Sequence, residues 1–419
     1  MISFEIPSSI EQTVSMIESV ATEMMRPQAR YYDDHEHEIP WDYINFMHAA
    51  LQSAGAEVNL APTSSQDEHQ EAGGEATIGF PSTGYLGMAH YVEMLSWGDA
   101  GLYLCTPQGG LGAAAVSAAG TPEQVAKFLE RFKGDRAVFS AMAITEPHAG
   151  SDTAAIKTTA VRDGSDWVLN GEKIFVTGGH KALVDTPGFV IVWATIDPEA
   201  GRNGIRSFVV EAGTPGCTVT KLEKKLGIRC SDTAAIVLQD CRVPLENMLG
   251  TVEQGKKTSE GYKGVLRTFE ATRPLVGASA LGIARAALEF LKAKLAEGGI
   301  EIRYGLPLSR MTNLEAEVVE LEAMLRSAWL LTLRAVWMVD NKIAINAESS
   351  MSKIKAGDAV VKITQKAVEL LGPMGYSREH LLEKWFRDAK INDLYEGTGQ
   401  INRLIVARRI LGYSRHELS

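Results

Sequence analysis

Gly110, Gly112 and Ala115 in PQGGLGAAA stand at G-x-G-x-x-A spacing, the pattern of a loop that wraps a dinucleotide phosphate. That chemistry needs a strand before the loop and a helix after it. Pro107 and the helical surroundings argue instead for close packing or a bend in a helical region. Asp33, Asp34, His35, Glu36, His37 and Glu38 offer metal-ligating types in a row. Consecutive residues rarely converge on one ion, so a solvated surface turn is expected and no metal site. Cys230 and Cys241 have no neighbouring base in sequence to make a thiolate nucleophile, and read as small buried residues. Three segments carry more: AITEPHAGSDTAAIKT (143–158), NGEKIFVTGG (170–179) and RDAKINDLYEGTGQINRLIVARRIL (387–411). Taken alone, Glu396 reads as a helix N-terminal acid, Thr177 as a strand threonine and Ser151-Asp152 as a turn cap. Those separate readings leave the joint spacing of the three segments to chance.

The elements that must position these residues follow from pattern. The 419 residues suggest two or three domains at roughly 150 residues each. A 45% hydrophobic, 22% charged composition excludes disordered and fibrous classes. Forty-two basic against 52 acidic residues, net −10, argues against a nucleic-acid or anionic-membrane partner. No uninterrupted run of about 18 apolar residues stands out, so no membrane insertion is expected. An acidic N-terminus without a basic region before an apolar stretch reads as neither signal nor transit peptide. With four cysteines and no CxxC spacing, the expected compartment is the reducing cytoplasm. Ile10, Val14, Ile17, Val20 and Met24 share a helical face, with Ser8 and Glu11 spaced as a capping box. Residues from about 53 to 82 read as a polar loop, followed by helical pattern to about Phe132. Then come β-branched runs: IKTTAVRDGSDWVLNGEKIFVT, FVIVWATI, RSFVVEA and TAAIVLQD, with turns expected at Asp163-Gly164 and Asn170-Gly171. Long helical periods return after Glu246. The division is 1–135 helical, 136–245 β and 246–419 helical, an α+β multidomain chain.

The three segments, together with KLGIRCSDTAAIVLQDCRVPLENML (225–249) and FEATRP (269–274), resemble the acyl-CoA dehydrogenase family in unbroken order over roughly 90–411, the medium-chain type most of all. The resemblance implies an N-terminal α-helical domain, a middle β-barrel or sandwich and a C-terminal α-helical bundle used for oligomerisation. It implies FAD as cofactor and oxidation of an acyl-CoA to the trans-2-enoyl-CoA. The α-proton leaves to a carboxylate as hydride leaves the β-carbon towards the flavin N5. Glu396 occupies the family's base position. A thioester α-proton is only weakly acidic, so its removal needs a carboxylate made more basic by desolvation. Thr145, Ser151, Phe175, Thr177, Thr398 and Gln400 are the implied cofactor contacts, with Phe175 where many relatives carry Trp. Tyr395, Gly397, Glu270 and Arg273 are the implied substrate contacts: Glu270 at a position that meets the pantetheine chain, Arg273 as a coenzyme A contact. A surface ion pair at a helix start is the competing reading of Arg273. FEATRP puts Thr272 where isovaleryl-type members carry their base.

The chain departs from the family where a neighbouring subunit normally supplies an Arg and Gln residues to the FAD diphosphate. Those positions hold Glu301, Thr312 and Glu369 here, and two acids would repel a diphosphate; Arg303 is a candidate substitute. The implied partners are an electron-transfer flavoprotein as electron acceptor and further subunits in a homo- or hetero-tetramer. The alternatives are a non-catalytic or partly active structural subunit of a hetero-oligomer, or an acyl-CoA oxidase, which would need oxygen access to the reduced flavin. Gly109, Gly110 and Gly112 fall, by resemblance, near the acyl pocket, where missing side chains would leave room for a branched or cyclic acyl group.

Overall fold

The computed structural model describes residues 6–54, 84–107, 109–251, 260–413 and 417, with only the backbone described at 260–268 and 271. The polar loop expected over about 53–82 lies outside the described residues beyond Ala54. Helices α1 (Ser8–Val20), α2 (Arg26–Asp34), α3 (Trp41–Ser53), α4 (Gly84–Tyr103), α5 (Gly110–Ala119) and α6 (Pro122–Leu129) come first. Strands β1 (Ser140–Ala143), β2 (Thr159–Asp163), β3 (Asp166–Thr177), β4 (Phe189–Thr195), β5 (Ile205–Glu211), β6 (Cys217–Leu222) and β7 (Thr233–Pro244) follow. The chain closes with α7 (Glu260–Glu297), α8 (Asn313–Asp340), α9 (Asn346–Leu371), the single turn α10 (Pro373–Tyr376), α11 (Leu382–Ala389) and α12 (Gly399–Leu411).

The strands form one curled seven-stranded sheet in the order β1-β4-β2-β3-β7-β6, with β5 on β4. β4 is parallel to β1 and antiparallel to β5. Every residue of β4 is buried, and strand alternation divides them between two cores. Val190, Val192 and Ala194 join Tyr43, Tyr85 and Leu95 of the early helices. Phe189, Ile191 and Trp193 join Ala113, Val116 and Phe128 of α5 and α6. A third core lies in the bundle, where Leu281, Ala284, Leu288 and Leu291 of α7 meet Val318 of α8 and Val360 and Ile363 of α9. By length and composition the stretch Thr272–Glu297 would pass for a membrane-spanning helix, contrary to the sequence expectation, but most of it is buried in the bundle.

Several expectations need correction. Pro7, not Ser8, takes the N-cap of α1 with no side-chain cap; Ile10 and Glu11 donate their amides to the Pro7 carbonyl. The proline's fixed φ sets the helix entry one residue earlier than the capping-box spacing implies. Its buried stripe is Ile10, Thr13 and Ile17, continued by Ala21 and Met25 through a π-helical turn, while Val14, Val20 and Met24 pack at its edge. Asn170-Gly171 is no hairpin turn. It lies inside β3 at a register shift against β7, with Gly171 at φ +155° facing Thr158. The Asp33–Glu38 stretch does turn at the surface, with Asp34, His35 and Glu38 exposed, but Asp33 is buried and takes a two-pronged bond from Arg387 at 2.9 and 2.5 Å, tying α2 to α11. The short strands β1 and β6 were not anticipated. Gly110 and Gly112 do open a helix, but the chain before them is helix α4. A Cβ on Gly112 would stand 2.6 Å from that of Ser140, so the glycine permits α5 to lie on β1. Cys105, Cys230 and Cys241 are buried free thiols.

Candidate active site

Two loci gather the sequence-predicted residues. The first is a ledge on the sheet. Leaving β1, the chain places Thr145 so that its carbonyl accepts the Ile174 amide at 2.9 Å, bringing it beside Phe175. A bulge against β7 between Lys173 and Val176 turns Phe175 outward, with φ +57° and 60% of its surface exposed. A bulky residue in the left-handed region costs about 1–2 kcal/mol, and such strain persists where the surroundings impose it. Thr177 ends β3 opposite Thr233, half-buried. Ser151 is exposed. Asp152 precedes a single turn without a side-chain cap, so the capping reading of this pair fails.

The support beneath the ledge was not foreseen. Lys173 and Glu146 are buried and paired at 2.7 Å, and Lys173 Nζ also donates to the Ile144 carbonyl at 3.2 Å. Glu146 further accepts the Lys157 amide at 2.6 Å, the Thr158 amide at 3.0 Å and the Thr158 hydroxyl at 2.5 Å. These donors hold the Glu146 carboxyl below its usual range despite burial, while burial pulls Lys173 down to about 8. The available signal was an ionisable residue at an inward strand position.

The second locus is the turn before α12. Glu396 has φ +53° and Gly397 φ +94°. Thr272 Oγ1 donates to Glu396 Oε2 at 2.6 Å, Arg273 Nε to the Glu396 carbonyl at 3.2 Å, and Lys353 Nζ to the Gly397 carbonyl at 2.6 Å. Local sequence explains why α7 can supply these groups. Pro274 lies inside α7 and has no amide for the Glu270 carbonyl one turn back, and the Ser349 hydroxyl bonds that carbonyl at 2.8 Å instead. Arg273 is buried within α7, so the surface ion-pair reading is wrong. Tyr395 donates to Asn392 Oδ1 at 2.9 Å. Thr398 caps α12 by accepting the Ile401 amide at 3.3 Å, and Gln400 is exposed in the first turn.

Burial raises the Glu396 carboxyl above its ordinary range, while the Thr272 hydroxyl, Arg273 and Lys353 pull the other way. A desolvated carboxylate beside donors that keep it ionisable is competent to take a proton from a weak carbon acid.

Of the positions where a neighbouring subunit would meet a cofactor diphosphate, Glu301 is exposed, while Thr312 and Glu369 are committed within this chain. Thr312 caps α8, its hydroxyl accepting the Glu315 amide at 3.2 Å. Arg303 makes a two-pronged pair with Glu315 at 2.6 and 2.7 Å, so as a substitute cation it is already engaged. Glu369 is held by Lys366 at 2.8 Å and Gln365 at 2.7 Å.

The sequence-predicted residues thus converge on a strained turn bearing a desolvated carboxylate and on a ledge bearing an exposed aromatic. Residues 141–241 match the acyl-CoA dehydrogenase middle domain and residues 259–411 the acyl-CoA dehydrogenase C-terminal domain. The chain is 38% identical over 293 residues to the short-chain specific acyl-CoA dehydrogenase, mitochondrial, of Rattus norvegicus, covering 70% of this chain and 67% of the relative. It is 32% identical over 401 residues to the cyclohex-1-ene-1-carbonyl-CoA dehydrogenase of Geobacter metallireducens, covering 95% and 97%. The butyryl-CoA dehydrogenase structure from Megasphaera elsdenii superposes with a TM-score of 0.81 at 27% identity, over 98% of this chain and all (100%) of that one. The chain belongs to the acyl-CoA dehydrogenase family.

Proposed function

We propose that the protein oxidises the α,β carbon bond of an acyl-CoA thioester, with Glu396 as the base. The observation that carries this reading is the Glu396 carboxylate, raised by burial, oriented by Thr272 at 2.6 Å and set on a turn pinned through two successive carbonyls. A bound FAD supplies the hydride acceptor. Phe175, Thr145 and Thr177 fit its ring: an exposed aromatic face between partly open hydroxyl residues, backed by the rigid Lys173–Glu146 pair. Glu396 receives the α-proton; Arg273 and Lys353 hold the carboxylate's own backbone still while it does so. Tyr395 and Gly397 border the base, and Glu270, close enough to Arg273 to act on its charge, is the residue that the family resemblance assigns to the pantetheine chain. An electron-transfer flavoprotein as acceptor follows from the family resemblance, and the four free thiols support a reducing, cytoplasmic setting. The names of the relatives favour a short linear or a cyclic acyl group. Anaerobic bleaching of the flavin by butyryl-CoA and by the saturated cyclic thioester cyclohexane-1-carbonyl-CoA tests the reading; no bleaching by any acyl-CoA of graded length and bulk would overturn it.

A second reading concerns assembly. Glu301, Thr312, Arg303 and Glu369 offer no uncommitted cation for a diphosphate across a subunit interface. A hetero-tetramer, in which another subunit supplies the missing Arg and Gln residues, accounts for this better than a homo-tetramer. Expressed alone, the chain would then carry less than one flavin per subunit and recover flavin and activity with the partner. A homo-tetramer with one FAD per subunit and full activity would exclude it.

A further inference from the structure

Lys353 is almost fully buried in the middle of α9, and no sequence reasoning singled it out. A buried ammonium is costly unless its geometry is used. Its Nζ donates at 2.6 Å to the carbonyl of Gly397, while Arg273 Nε from the opposing helix donates at 3.2 Å to the carbonyl of Glu396. Two cations from α9 and α7 therefore grip two consecutive peptide carbonyls of the turn whose φ angles, +53° and +94°, are both left-handed. Asn402 Nδ2 adds a third donor, to the Gly397 carbonyl at 2.8 Å. Gly357, one turn along α9, lets the Asn392 backbone approach, so the segment leading into the turn rests directly on the helix that carries Lys353.

We propose that Lys353 is a positioning residue for the base, holding the Glu396–Gly397 turn in its left-handed form and placing a positive charge behind the Glu396 carboxylate. The proposal rests on the reading of Glu396 as the base. The charged and titratable groups around this locus are Tyr103 from α4, Glu270 and Arg273 from α7, Lys353 from α9, Asp393 and Tyr395 before the turn, and Arg403 from α12. Arg403 is engaged by Asp358 at 2.7 Å, and Asp393 by Lys390 at 3.2 Å. That leaves Lys353 and Arg273 as the two cations that favour ionised Glu396, against Tyr103, Tyr395 and burial. The sign follows: removing the Lys353 charge raises the Glu396 carboxyl further, so the acid limb of kcat/KM moves to higher pH.

The test is the pH profile of kcat/KM for butyryl-CoA oxidation by the flavin-loaded enzyme, with an artificial electron acceptor. Lys353→Met should lower kcat at neutral pH about tenfold, less than the 10²- to 10⁴-fold loss expected of a base itself. KM should change little, and the acid limb should move up. Lys353→Arg should bring the limb back towards wild type, because charge and donor return. An unmoved acid limb in Lys353→Met overturns the proposal, since a merely structural lysine would lower activity without shifting it. Lys353→Gln provides a second arm if Lys353→Met fails to fold: it can keep a donor towards the Gly397 carbonyl but carries no charge, so the limb should still move up, and an unmoved limb again overturns the proposal. Glu396→Gln is run beside them. Full activity in that variant removes the base assignment itself, and the role of Lys353 with it; lost activity with an unmoved limb in Lys353→Met rejects Lys353 alone.

Discussion

Replacing Glu146 by Gln keeps the shape of a buried side chain, and its effect can be worked out from the pair beneath the sheet ledge. Glu146 accepts four hydrogen bonds: from the Lys173 ammonium, the Lys157 amide, and the Thr158 amide and hydroxyl. A glutamine has one acceptor oxygen, so its NH₂ must face a donor, at about 1–3 kcal/mol for the unsatisfied group. Lys173 loses its counter-charge as well, but its loss is capped. It already stands at about 8 against an ordinary 10.5, so it can shed its proton at neutral pH for roughly 1.4 kcal/mol per further unit. The total is about 3 kcal/mol at pH 7. The pH dependence has a definite sign. A folded lysine at about 8, below its unfolded value, binds fewer protons than the unfolded chain between those two values, so stability rises with pH across that window. In the variant the rise begins at lower pH, and the gap to wild type must narrow by pH 9. Urea denaturation at pH 7 and pH 9 reads both, and because Thr145 is the residue before Glu146, flavin per subunit should fall too. A loss below about 1 kcal/mol, or a gap unchanged between the two pH values, would refute the account of the ledge.

Thr272→Val removes the donor to Glu396 Oε2; hydrogen bonds to charged groups contribute about 1.5–3 kcal/mol, so kcat should fall roughly tenfold or more in stopped-flow flavin reduction, with the acid limb moving up. Gly397→Ala places a Cβ at φ +94°, 3.1 Å from Asn402 Nδ2. The strain of about 1–2 kcal/mol should appear as a lower thermal midpoint and a lower kcat with KM little changed. Arg303→Ala leaves Glu315, whose pairing with Arg303 holds its carboxyl low, without that partner. Arg303 is more than half exposed and Glu315 keeps its bonds from the Thr312 amide and hydroxyl, so urea stability should fall only modestly; a loss of all flavin in this variant would show instead that Arg303 holds the cofactor.

The order helical, sheet, helical was legible because period-2 runs such as FVIVWATI and long 3.6-period segments differ plainly. β1 and β6 were not, because four to six residues carry too little alternation to separate from a loop. The Asn170-Gly171 pair misled for a physical reason: its positive-φ tolerance serves a bulge as well as a hairpin. Asp33 misled because its partner Arg387 is 354 residues away. Glu396, Phe175 and Thr145 were singled out through the joint motif, whereas Lys173 showed only as an ionisable residue at an inward strand position, and Lys353 and Glu146 lacked any local sign. Their role is to face backbone carbonyls or each other across the fold, which is information held in tertiary packing alone.

Anaerobic reduction of the flavin by substrate, compared between wild type and Glu396→Gln, tests the central claim most directly. The substitution preserves the Thr272 contact's geometry and the backbone bonds to Arg273 and Lys353 while removing the proton acceptor. The account predicts unchanged folding and flavin content, retained acyl-CoA binding, and a bleaching rate reduced about 10²- to 10⁴-fold. Bleaching at the wild-type rate in that variant would contradict it.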